Sequence, residues 1–155
     1  MSSTETINDK NNAKGSELPG SVLFVCTMNQ IRSPMAEFLA KDILGTSVYA
    51  QSAGVTCGDI DGFMQAVMKE RGIDVSGHEP VPLEDLEDTY VDLVVTLTPE
   101  AHQRTQEFMR GQPVAIEYWQ IANPSGTTGK RDDILAAYRQ TRDLLEKRIR
   151  ERFNK

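Results

Sequence analysis

Cys26 and Arg32 are separated by five residues, with Ser33 next, in the stretch Cys26-Thr27-Met28-Asn29-Gln30-Ile31-Arg32-Ser33. A thiol and a guanidinium at that spacing can face one small anion if the intervening backbone curls so that several N–H groups converge on it. A helix start at the end of the loop adds its positive end, and Arg32 can grip two oxygens of a phosphate at once. The same field stabilises Cys26 as thiolate, and Ser33 can donate a hydrogen bond to the sulfur. A thiolate beneath a bound phosphate is poised for in-line attack. The plainer alternative is a buried cysteine acting as a small hydrophobe, since a bare C-x5-R occurs by chance. Context argues against it: an apolar strand precedes the loop and a Ser-Pro helix start follows.

The elements that must hold this loop are legible in the pattern. Val22-Leu23-Phe24-Val25 is a continuous apolar run suited to a buried parallel strand. After the loop, Ser33 reads as helix cap and Pro34 as first helical position, with Met35, Phe38, Leu39 and Ile43 on one face and Gly45 as the stop. A second strand is expected over Ser47–Gln51 and a second helix over Ile60–Arg71, ended by Gly72. The acidic, Pro-containing stretch His78–Asp88 reads as a loop. Val91–Leu97 and Val114–Tyr118 read as further strands, Pro99–Met109 as a helix, and Arg131–Phe153 as a last helix burying Ile134, Tyr138, Thr141, Leu145 and Ile149. Strands alternating with helices give an α/β fold, a parallel sheet with helices on both faces and ligands at the carboxyl ends of its strands.

Size and charge narrow the function. The chain has 155 residues, enough for one core and too few for two. Residues 1–20 are polar and read as a flexible tail, leaving 21–155 as the folded domain. They lack the apolar centre of a secretory signal and the arginines of a transit peptide, and no apolar run is long enough to span a bilayer, so a cytoplasmic location and no membrane partner are expected. A net charge of −6 makes nucleic acid a poor partner. Residues 129–155 nonetheless sum to +4, which a solvated helix explains, with Asp132 and Asp133 at its positive end and Arg148, Arg150 and Arg152 at its negative end. Two cysteines 31 positions apart argue against a disulfide framework and a four-ligand zinc site, so neither metal nor cofactor is expected.

VLFVCTMNQIRSPMAE, QSAG at 51–54, the Gly-Ile-Asp and Ser-Gly-His stretch at 72–78, and DLVVTLTPEA at 92–101 together resemble the low-molecular-weight protein tyrosine phosphatases and their arsenate-reductase relatives. The resemblance spans residues 21–153. It implies a four-stranded parallel sheet and a covalent cysteinyl-phosphate mechanism. It implies Cys26 as nucleophile, Arg32 as phosphate clamp and Ser33 as the hydroxyl that stabilises the thiolate. Thr27, Met28, Asn29, Gln30 and Ile31 complete the anion loop, and Asn29, Ser52 and His78 match the polar network that holds it in shape.

The sequence departs from that family at informative points. The family's general acid sits in an Asp-Pro pair after the fourth strand, where this chain has Asn123-Pro124. An amide has no proton to give a leaving phenolate. Met28 replaces a common glycine, and Ile31 replaces a second loop cysteine. Glu79-Pro80-Val81 stands where many members carry a basic residue. Three functions follow from different classes: a slow phosphomonoester hydrolase, for phosphotyrosine; a single-cysteine arsenate reductase resolved by an external thiol or glutaredoxin; or a phosphate-binding module with little turnover. The substrate is accordingly a phosphoprotein or a small phosphate or arsenate oxyanion. Cys57 reads as an ordinary loop thiol, with a resolving role against Cys26 as its alternative. His102 reads as a surface helix residue, Tyr118 and Trp119 as either packing or an aromatic wall, and Asp132 and Asp133 as helix caps or substitute acids.

Overall fold

The computed structural model describes residues 18–87 and 90–155. The tail expected over residues 1–20 therefore lies mostly outside the described residues, as does Asp88 of the acidic loop. Four strands, β1 (Ser21–Cys26), β2 (Tyr49–Gly54), β3 (Leu93–Thr96) and β4 (Ala115–Tyr118), form one sheet in the order β2-β1-β3-β4. All three pairings are parallel. The helices are α1 (Arg32–Leu44), α2 (Gly62–Lys69), α3 (Pro99–Phe108) and α4 (Arg131–Arg152).

Burial explains why β1 reads as an unbroken apolar run. Val22 and Phe24 point into a core shared with α1, α2 and α4, while Leu23 and Val25 point into a second core with α3 and the 81–86 segment. A strand covered on both faces has no polar side to display. The chain leaves β1 toward β2 and later returns on its other side with β3, so the order reverses at β1. The carboxyl end of β1 is thus the crevice where α/β sheets bind ligands, and Cys26 is its last residue.

The expected elements all form, with shifted edges. β2 runs to Gly54 rather than Gln51, and α2 is shorter than Ile60–Arg71 because Asp61 caps it, its carboxylate accepting the Met64 N–H at 3.0 Å. Ser33 is not a helix cap. α1 begins two residues earlier, at Arg32, Ile31 occupies the cap position without a side-chain bond, and the Ser33 hydroxyl turns inward to the thiol. The expected stripe of α4 holds for Tyr138, Thr141, Leu145 and Ile149, with Leu135 and Arg142 buried beside them and Ile134 partly buried.

Candidate active site

The loop between β1 and α1 is wrapped from outside by residues 55–61. Val55, Thr56, Gly58 and Asp61 donate their N–H groups to the carbonyls of Cys26, Thr27, Met28 and Gln30, at 2.9–3.3 Å. In a trans peptide the carbonyl and the next N–H point opposite ways. Outward carbonyls at Thr27, Met28 and Gln30 therefore turn the N–H groups of Met28, Asn29 and Ile31 inward. The Asn29 N–H is already so engaged, donating to Cys26 Sγ at 3.2 Å. Gly54 permits the wrap: a Cβ there would stand 2.2 Å from the Thr56 carbonyl oxygen and 2.8 Å from Asn29 N.

Cys26 is 3% exposed and forms the floor. Its sulfur lies 2.9 Å from Ser33 Oγ. That hydroxyl accepts from Asn29 Nδ2 at 2.7 Å and faces the Ala53 carbonyl at 3.2 Å, so its single proton goes to Ala53 or to the sulfur. Once the sulfur is a thiolate, the proton belongs there.

Asn29 adopts φ +53°, a left-handed turn tolerated by asparagine, and is fully buried. Its Nδ2 donates to Ser33 and to Ser52 Oγ at 3.1 Å, and its Oδ1 accepts from the Val81 N–H at 3.1 Å. His78 Nε2 lies 3.0 Å from the same Oδ1, so it carries the proton and donates. Ser52 in turn donates to Glu37, which also takes Lys41 and faces His78 Nδ1 at 3.7 Å. Burial lowers the His78 pKa below its ordinary value, with Glu37 opposing. Asn29, Ser52 and His78 thus meet as expected, and Glu37 joins them from α1, a member that the sequence reading missed.

Above the floor lies an open cavity of about 260 Å³ lined by Cys26, Thr27, Met28, Gln30, Ile31, Arg32, Asn123, Ser125 and Asp61. Asn29 and Ser33 sit beneath it and reach its contents through backbone and sulfur. Arg32 donates one guanidinium N–H to the Ile121 carbonyl at 2.9 Å, which fixes its plane and ties it to the segment carrying Asn123. Burial lowers its pKa, opposed by the charges of Cys26 and Tyr118. Asn123 accepts the Ser125 N–H at 3.0 Å, leaving its amide N–H₂ group free of that bond. Met28 receives a hydrogen bond from the Thr56 hydroxyl on its sulfur.

The family model for low molecular weight phosphotyrosine protein phosphatases matches residues 21–155. The chain belongs to that family. Among its relatives, an arsenate reductase of Bacillus subtilis is 32% identical over 130 residues, covering 84% of this chain and 92% of that protein. A glutaredoxin arsenate reductase of Synechocystis is 29% identical, covering 83% and 92%. The solved YwlE arginine phosphatase, a cysteine-to-serine mutant with a phosphorylated active-site serine, superposes with TM-score 0.67 at 26% identity, covering 84% and 91%. Family membership therefore includes both phosphatases and arsenate reductases.

Other expectations fare unevenly. Trp119 is buried against Phe24 under the Arg148 guanidinium, so it packs rather than walls a substrate. Tyr118 is 40% exposed, its ring against His102. His102 is not a free surface residue: its Nδ1 is 2.8 Å from the Thr96 hydroxyl. Asp133 accepts the Lys130 N–H at the start of α4, and neither it nor Asp132 lines the cavity. Cys57 is exposed on the wrapping segment. Asp61 lines the cavity although the sequence reading passed over it. The available signal was an Asp-Gly pair before an amphipathic helix, which marks a cap rather than a site.

Proposed function

We propose that this protein hydrolyses phosphomonoesters, phosphotyrosine foremost, through a cysteinyl-phosphate intermediate, slowly because Asn123 stands where an acid is needed. The observation that carries the reading is the buried Cys26 sulfur, held by the Ser33 hydroxyl and the Asn29 N–H at the floor of a cavity that Arg32 borders. The inward N–H groups and Arg32 bind the three equatorial non-bridging oxygens, and the leaving oxygen lies on the far side of phosphorus from the sulfur. The thiolate attacks phosphorus, the S–P bond forms and the ester P–O bond breaks. With an amide at position 123 the leaving oxygen departs as an anion and takes its proton from water. Water then cleaves the S–P bond and restores the thiolate. No metal enters these steps. The trapped phosphoserine of the YwlE arginine phosphatase supports covalent transfer in a relative. A cytoplasmic site of action fits the reading, and no helix among the described residues is long and apolar enough to cross a membrane.

The arsenate reductases among the relatives favour a second reading, in which Cys26 attacks arsenate and an external thiol or glutaredoxin resolves the adduct. The chain's only other cysteine, Cys57, does not line the cavity above Cys26, so in this reading the reductant comes from outside. In the third, the same cradle binds phosphate and turns over little. Turnover of an aryl phosphate with an acidic phenol, run beside arsenate with and without glutathione and glutaredoxin, separates the three. Phosphate release by the wild type, abolished by Cys26→Ser while vanadate still binds, is the expected result. Thiol-dependent arsenite production without phosphate release replaces it with the second reading, and binding without either replaces it with the third.

A further inference from the structure

The hydrolysis above leaves one proton without a receiver. When water attacks the cysteinyl-phosphate it must shed a proton, and Asn123, an amide, cannot take it. Ser125 and Gln30 are no better. Among the described residues lining the cavity, the remaining Brønsted base is the Asp61 carboxylate.

Asp61 is held in place from three sides. Its backbone N–H donates to the Gln30 carbonyl at 3.3 Å, its Oδ1 accepts the Met64 N–H at 3.0 Å, and its Oδ2 accepts the Tyr138 hydroxyl at 2.9 Å. Tyr138 is buried in the core, and burial together with Asp61 raises its phenol pKa, so the phenol keeps its proton and donates. A carboxylate has about four lone-pair positions, and two are used. Two remain, on a residue that lines the cavity. The group is therefore fixed by its helix cap and by α4, yet retains acceptor capacity on a residue of the cavity wall that also carries Cys26.

Resting on the phosphatase reading, we infer that Asp61 is the general base for breakdown of the cysteinyl-phosphate. Water's oxygen bonds to phosphorus, its proton passes to Asp61, the S–P bond breaks, and Cys26 leaves as the thiolate that Ser33 and the Asn29 N–H receive. Asp61 then releases the proton to solvent. The first step has no proton for Asp61 to remove, so its work is confined to the second.

That confinement gives the test. With an aryl phosphate of acidic phenol, formation of the intermediate is fast and its hydrolysis limits turnover. Rapid quench then resolves a burst of phenol followed by a steady rate. Asp61→Asn and Asp61→Ser both keep an N-cap acceptor for Met64 and neither takes a proton. Each should leave the burst rate within about threefold of wild type, slow the steady rate by roughly ten- to a thousandfold, and raise the fraction of enzyme found as phosphocysteine by mass spectrometry. Melting curves near wild type show that the fold is kept. Equal slowing of both phases, or no slowing of either, overturns the assignment. If the wild type forms no phosphocysteine from any ester, the phosphatase reading falls and the base falls with it, a failure visible before any Asp61 variant is made.

Discussion

On the proposed phosphatase reading, Asn123→Asp should speed the cleavage of phosphotyrosine. The substitution exchanges one NH₂ for an oxygen. The Oδ1 that accepts the Ser125 N–H can remain, and with it the short helical turn of residues 124–126 that it caps, so stability should change little. The second oxygen then replaces the amide N–H₂ group in the cavity wall. A positioned acid is worth about 10² to 10⁴ in rate. An aspartate of ordinary pKa, near 3.9, is only about 1% protonated at pH 6, which cuts the upper figure to about a hundredfold. Asp61 and the phosphate dianion share the cavity with it, and like charge favours the protonated form. An overall gain of about ten- to a thousandfold follows.

That gain should appear with phosphotyrosine, whose leaving phenoxide is basic, and largely vanish with an aryl phosphate of acidic phenol. The wild type should show a steep dependence of the first step on phenol acidity and the variant a shallow one. The variant should also lose rate at alkaline pH, because its new acid must carry a proton. Single-turnover measurement over a series of aryl phosphates reads all of this. If rate and slope are both unchanged, either the segment after β4 does not deliver residue 123 to the leaving oxygen, or ester cleavage is not the reaction of this site.

Ser33→Ala removes the hydroxyl from the Cys26 sulfur and strips an acceptor from Asn29. A hydrogen bond to a charged group is worth about 1.5–3 kcal/mol, so phosphocysteine formation should slow by about ten- to a hundredfold; single-turnover rates within twofold of wild type would remove Ser33 from the reaction. Gly54→Ala places a methyl 2.2 Å from a backbone oxygen; overpacking of this kind costs about 1–3 kcal/mol, and urea melts should show that loss together with weakened vanadate binding. His78 titrates lower in the fold than in the unfolded chain. The unfolded state therefore takes up a proton first as pH falls below about 6.5, and the stability present above that pH is lost down to the folded pKa. Melts from pH 7.5 to 5 should decline, and His78→Gln should flatten part of that decline; an identical slope in the variant would put the titration elsewhere.

Much of this was written in short-range pattern. The β1 run, the C-x5-R-S loop and the alternation of strands and helices predict a doubly covered parallel sheet with its crevice at Cys26, and the fold has that form. The strand edges were less legible because β2 continues through Ser52-Ala53-Gly54, small residues that pair well and carry little apolar signal. Ser33-Pro34 has the chemistry of a helix cap, so local rules assign it to the helix. Only the tertiary contact with the sulfur shows otherwise. Glu37 looks like one more exposed charge on α1, yet it is 7% exposed because Ser52 and Lys41 reach it from two sides. Asp61 is the same problem in reverse, a residue with an adequate local explanation as a cap and a second position, on a cavity wall, that only long-range packing creates.

The parts of the site differ in how firmly they are built. The floor, comprising Cys26, Asn29, Ser33 and Ser52, is buried and mutually hydrogen-bonded, so the cradle proposed for a tetrahedral oxyanion is built into the fold itself. The rim comes from three separate segments: Met28 and Gln30 on the loop, Asp61 at the head of α2, and Asn123 and Ser125 after β4. Substitutions there should change the proton chemistry while leaving the cradle intact. Arg32 is the point where floor and rim meet, because the guanidinium that faces the cavity also holds the Ile121 carbonyl two residues before Asn123. Arg32→Lys should therefore cost more than a phosphate contact. A lysine has no second nitrogen in the same plane to span anion and carbonyl together, so the variant should lose vanadate affinity and, in the Asn123→Asp background, much of the acid-dependent gain as well. If Arg32→Lys weakens binding but leaves that gain intact, the guanidinium does not position the Asn123 segment, and the rim is held by β4 and the Pro124 turn alone.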